Sequence, residues 1–97
     1  MIPTTFTLGG LKFNIQLVDD IDDTGLGRAL NCLGDIKISK HFHGRDIPEN
    51  SMERTFYHEL THAILDEIGF KSMSDNEQFV DTFSAMLYQF EQIKSFN

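Results

Sequence analysis

The chain of 97 residues carries 15 acidic against 8 basic side chains, a net charge of -7, and is 40% hydrophobic with nine phenylalanines. This length bounds it to one small domain spanning residues 1–97, and the apolar content excludes a disordered segment. The acidic balance and the lack of any Lys/Arg cluster exclude nucleic acid and anionic membrane surfaces as partners, and no apolar run approaches the ~20 residues that span a bilayer.

Cys32 is the only cysteine, so no internal disulfide is expected, and the start of the chain lacks a charged stretch followed by an apolar one. The expectation is a cytoplasmic chain, its oligomeric state left open.

The first elements read as strands. Leu11, Phe13, Ile15 and Leu17 alternate with Lys12, Asn14 and Gln16, the period of a strand with one buried face. Gly9-Gly10 joins this strand to Thr4–Leu8 and supplies the positive φ that a two-residue hairpin turn needs. The following DDIDDTGLG, Asp19 to Gly27, offers four aspartates, but without EF-hand spacing or a closing glutamate it reads as a solvated turn more than a calcium loop. From Arg28 to Lys40 two short apolar segments flank Gly34-Asp35, which predicts a second pair of strands with Cys32 as a buried small hydrophobe.

His41 and His43, in HFH, could chelate a metal from a strand, yet no carboxylates can be placed beside them. They read as loop residues at the end of the strand Ile36–Lys40.

Beyond Asn50 the period lengthens. Met52, Phe56, Leu60, Ile64 and Ile68, widened by Tyr57 and Ala63, predict a helix of about five turns. It should end at Gly69 in a left-handed cap, with Phe70 folding back on the last turn. A second helix is expected from Ser74, with Phe79, Val80, Phe83, Met86, Leu87, Phe90 and Ile93 as its apolar face.

The first helix carries TFYHELTHAIL, an HExxH motif. At 100° per residue His58 and His62 lie within about 40° of one another and project side by side, away from the Phe56/Leu60/Ile64 stripe. Zinc accepts neutral imidazole nitrogens, and a catalytic site keeps three protein ligands and one open position. Glu59 is placed to address a water there without being a ligand, as general base. The plain alternative is a polar helix face.

A third ligand is sought in NEQFVD, where Glu77 and Asp81 lie one turn apart on the flank away from Phe79, Phe83 and Phe90. Ser74-Asp75-Asn76-Glu77 is also a capping box, which would explain Glu77 without a metal. Both readings place Glu77 in the first helical turn.

The two motifs together resemble the gluzincin branch of the zincin-like metallopeptidases, in which an HExxH helix is followed by an N-E-x-x-x-D segment. Over roughly residues 34 to 90 the strand, loop and helix are similar to small bacterial and phage proteins related to the ImmA/IrrE-type peptidases. The resemblance implies that His58, His62 and Glu77 bind zinc, that Glu59 is the catalytic base, and that Asp81 holds a ligand histidine. It implies hydrolysis of a peptide or protein substrate, in the host cytoplasm if the protein is phage-borne. The chain is shorter than such enzymes in two ways, with 14 residues between His62 and Glu77 and no extra helical domain to complete a cleft. For the oxyanion donor Tyr88, on the Glu77/Asp81 flank, is the first candidate, ahead of His41 and His43.

The expected fold is α+β: a minimal zincin-like domain with a small, mostly antiparallel sheet, then the HExxH helix, then a C-terminal helix. A substrate strand is expected to add to an exposed edge at Ile36–Lys40. A non-catalytic zincin-fold binding or regulatory module, with structural zinc or none, is the alternative.

Overall fold

A computed structural model describes residues 2–19, 21 and 25–94. The acidic run read above as a turn falls largely on residues 20 and 22–24, outside the described residues.

Strands β1 (Thr5–Leu8) and β2 (Leu11–Val18) form the expected hairpin. Gly9 and Gly10 both take positive φ, 57° and 85°, matching the right-handed twist of the flanking strands. Strands β3 (Gly27–Leu30) and β4 (Asp35–Ser39) form the second antiparallel pair. A short 3-10 turn, Asn31–Leu33, connects them.

The strand order is β1-β2-β4-β3, with β2 and β4 parallel, so two of the three pairings are antiparallel. This order overturns the expectation that Ile36–Lys40 is an exposed edge. β4 is central, and Ile36 and Ile38 are wholly buried on the inner face. Among the described residues the outermost strand next to the helices is β3.

Cys32 is also not where it was expected. It is exposed, because the 3-10 turn directs it and Leu33 outward while anchoring through Asn31. The Asn31 amide donates to the Ala63 carbonyl at 2.9 Å and to Glu67 at 3.2 Å, tying the turn to the long helix.

Helix α1 (Glu49–Glu67) starts one turn earlier than the apolar stripe, behind Pro48, whose fixed φ suits a helix entrance. Its end follows the expected cap: Gly69 has φ 85°, and the Phe70 and Gly69 amides donate back to Leu65 and Asp66 at 2.9 and 3.3 Å. Phe70 itself stays 56% exposed.

One face of α1 covers the sheet. Phe56 and Ala63 join Phe13, Ile36 and Ile38 in the core, bordered by Phe6, Ile15, Met52, Tyr57 and Leu60. Phe6 stacks on Phe13 at 5.1 Å and meets Phe56 edge-on at 6.1 Å. Such aromatic pairs each contribute about 0.5–1.5 kcal/mol beyond their area.

Short helix α2 (Lys71–Ser74) leads into α3 (Glu77–Lys94), which packs on α1. The layers are therefore sheet, α1, α3. Val80 and Ser84 are the buried residues of α3, whereas the phenylalanine face expected to be its core side is turned outward. The opposite layer limit, the outer face of the sheet, is polar: Lys12, Asn14 and Gln16 are exposed.

Gly34 is the tightest point of the sheet. It has φ 64°, and a Cβ added there would collide with the Lys12 carbonyl oxygen. Replacing it by alanine combines a left-handed backbone with overpacking against backbone that cannot yield. Gly34→Ala should lower stability by about 2–4 kcal/mol, read as a drop in the urea unfolding midpoint. An unchanged midpoint would mean that the β3–β4 connection is looser than this.

Candidate metal centre

Helix α1 presents His58, Glu59 and His62 at the side where β3, α2 and α3 meet. His58 and His62, one turn apart, lie with ring centroids 4.9 Å from each other. Glu77, the first residue of α3, reaches between them. Its Oε2 is 3.4 Å from His58 Nε2 and its Oε1 is 3.3 Å from His62 Nε2.

Among the described residues these three are the group whose donor atoms converge, all within 4.8 Å. Two ligands each about 2.0–2.2 Å from a tetrahedral zinc lie about 3.3–3.6 Å apart. Each carboxylate oxygen of Glu77 thus stands from its own imidazole at about the spacing of two ligands of one ion. The donor set, two neutral nitrogens and one carboxylate oxygen, fits zinc with a fourth position left over.

The other nitrogen of each ring is held. Asp81 Oδ1 lies 2.9 Å from His58 Nδ1, one turn along α3 from Glu77. His62 Nδ1 lies 2.9 Å from the Ser74 hydroxyl oxygen. Both partners leave Nε2 directed at the shared point.

Ser74 was missed by sequence reasoning because it reads as a helix cap. It is instead buried at the end of α2, spent on His62, and the cap of α3 is Asn76, whose Oδ1 accepts the Phe79 amide at 3.1 Å. The capping box over Ser74–Glu77 is therefore not formed, and Glu77 is free of that duty. Asn76 stands one residue ahead of Glu77, so the acidic first turn is favoured by the helix dipole in any case.

Glu59 lies beneath the histidines, 8% exposed. Burial, and after it the Glu77 carboxylate, push its carboxyl up from 4.5 to about 7. Gly27 causes much of that burial. A Cβ at Gly27 would stand 2.6 Å from Thr55 Cγ2 and 2.9 Å from Glu59 Cγ, so only glycine lets β3 close over the helix here. A glycine inside a strand often marks such an approach, and this was the available signal in GLGRAL.

The centre opens into a cleft of about 830 Å3 lined by Gly27 and Arg28 of β3, Arg54 and Thr55 of α1, Lys71 of α2 and Ala85 of α3, among others. Tyr88 does not reach it. Its hydroxyl donates to Glu53 Oε1 at 3.1 Å, and its ring packs on Tyr57 at 5.6 Å. Position 88 falls two turns beyond Asp81 along α3, too far down α1 for the oxyanion role expected of it.

His41 and His43 lie outside the centre too. His41 sits in a small hairpin, β5 (His41–Phe42) and β6 (Arg45–Asp46), with Asp46 Oδ1 3.0 Å from Nε2 and Asp19 Oδ1 3.6 Å from Nδ1. The two carboxylates occupy opposite ring nitrogens, so they do not converge on one ion. His43 is at the hairpin tip with φ 51°, its ring against Phe42.

Removing either orienting partner should weaken metal binding while leaving the ligands in place. Asp81→Asn and Ser74→Ala should each lower zinc affinity by about 10 to 100-fold, measured by competition with a chromophoric chelator. Wild-type affinity in both variants would reduce the two contacts to ordinary packing.

Glu59 makes the metal-free protein pH-sensitive. Its raised pKa means that the folded state keeps a proton which the unfolded chain releases near 4.5. The stability so contributed is fully present below about pH 4.5 and is lost as pH rises through about 7, on the order of 3 kcal/mol in all. In chelator, wild type should lose stability relative to Glu59→Gln across that window and track it above. A difference that stays flat with pH would mean that Glu59 titrates normally.

Comparison with known proteins finds no family model matching the chain, and neither a curated protein nor a solved structure matches it.

Proposed function

We propose that the chain is a minimal zincin-like metallopeptidase of the gluzincin type, hydrolysing peptide bonds, with His58, His62 and Glu77 as zinc ligands and Glu59 as general base. The observation that carries this reading is the convergence of two oriented imidazoles and one carboxylate beside a buried second carboxylate that is not among the ligands. A zinc ion at that point supplies Lewis acidity, polarising a carbonyl and making water acidic near neutral pH.

The chain's own residues supply the rest. Glu59 takes a proton from the attacking water and returns it to the leaving amine. Asp81 and Ser74 keep the imidazoles in the tautomer that leaves Nε2 free for the metal. Gly27 brings the β3 backbone against Glu59. An extended peptide lying along β3, in place of the Ile36–Lys40 edge expected from sequence, would run along the cleft past Glu59.

A non-catalytic reading, in which the site holds zinc for stability and the domain docks a partner, is favoured by one observation. Tyr88 is committed to Glu53 and leaves the oxyanion without that donor. Against it stands Glu59, since a structural site gains nothing from a buried carboxylate that is not a ligand.

Metal content and cleavage of a mixed peptide pool, measured together, separate these readings. Wild type should hold about one zinc and cleave. Glu59→Gln should keep the zinc while cleavage drops by about 10²–10⁴-fold, and Glu77→Gln should lose zinc and cleavage together. Zinc binding by wild type without any cleavage would establish the non-catalytic module, and equal zinc loss in Glu59→Gln would remove its assignment as base.

A further inference from the structure

Helix α3 is apolar on two sides, and only one of them is covered. Toward α1 it buries Val80 and Ser84 and half-buries Leu87 and Tyr88. On the far side Phe83, Met86, Phe90 and Ile93 are 47%, 68%, 58% and 57% exposed, and Phe79 stacks on Phe83 at 5.7 Å.

These five positions recur with steps of four, three, four and three residues, the seam of a two-stranded helical pair. The seam runs for about 21 Å along the helix. Gln78, Thr82 and Gln89 border it on one side, and Leu87 and Lys94 on the other, where Lys94 pairs with Glu91 at 3.1 Å. Two carboxylates of α3, Glu77 and Asp81, lie on the other side against the histidines of α1. In a chain of net charge -7, this is an extended apolar face whose one bordering ion pair stands at its C-terminal end.

We infer that the exposed face of α3 is where a second copy of this chain docks, the two α3 helices pairing along Phe79, Phe83, Met86, Phe90 and Ile93 about a two-fold axis. Three features select a second copy as the occupant. A seam of this spacing is complementary to itself, as a two-fold interface requires. The border's one carboxylate, Glu91, is paired with Lys94 at 3.1 Å, so two acidic chains approach along this face without setting unpaired carboxylates against each other.

The area is the third feature. The five side chains leave on the order of 500 Å² of apolar surface per copy, and the bordering Gln and Thr residues bring it toward the roughly 800 Å² per partner of a standard interface. That size suits a concentration-dependent dimer. The cleft is lined from α3 by Glu77, Asp81, Ser84 and Ala85, so pairing leaves it open.

Sedimentation velocity of the full chain from about 1 to 500 μM, with zinc and again in chelator, tests the inference. The mass should rise from monomer to dimer across that range in both conditions. Met86→Glu and Phe90→Glu, at exposed positions, should weaken association by about tenfold or more while leaving the circular dichroism melt of the dilute protein unchanged. Met86→Gln should weaken it less, and Leu17→Glu, an exposed apolar site on the sheet, should leave it intact. A chain monomeric throughout would overturn the inference and return the face to a different partner, as would a dimer that survives both α3 glutamates or yields only to Leu17→Glu.

Discussion

The structure turns on burying a polar helix between two layers. α1 has the sheet on one side and α3 on the other, so His58, Glu59, Thr61 and His62 all lose water. A buried polar group without a partner costs about 1–3 kcal/mol, and a charged one more. Each group therefore has an answer: Thr61 donates to the Tyr57 carbonyl at 2.8 Å, His58 has Asp81, His62 has Ser74, and Glu59 is driven toward its neutral form. For the two histidines those answers come from α2 and α3, so the position of α3 on α1 is set by polar contacts as much as by Val80.

The same arrangement would link the proposed metal binding to folding. The buried apolar core is small, essentially Phe13, Ile36, Ile38, Phe56 and Ala63 with their half-buried neighbours. A domain of this length is marginal on such a core. A cation held between α1 and α3 would cross-link two layers that otherwise share few large buried side chains, and its binding free energy would count toward folding. It would also favour the charged form of Glu59, offsetting the rise that burial causes.

Sheet order decides where a substrate strand could lie. With β4 in the centre, β3 is left at the edge beside α1, and Gly27 permits backbone to approach the Glu59 side chain closely. One glycine thus serves both the burial of Glu59 and the shape of the cleft. On the far side of α3 the apolar seam has no such role within the chain, which is why a second copy is the economical explanation for it.

The sequence by itself determined the local elements and the local chemistry. Alternation gave β2 and β4, the glycine pair gave the first turn, Gly69 gave the end of α1, and the four-residue spacing of His58 and His62 put two imidazoles on one helix face. These depend on neighbours along the chain, so period and turn chemistry suffice. The tertiary structure alone decided the rest, because it depends on which surfaces meet: that β4 inserts between β2 and β3, that Cys32 points outward, that the α3 face richest in phenylalanine is the uncovered one, and that Tyr88 goes to Glu53. Ser74 shows the reason most plainly. A serine three residues before a glutamate satisfies a local capping rule, but the buried Nδ1 of His62 needs a partner, and a deficit inside the fold outweighs a cap that Asn76 can supply at the surface.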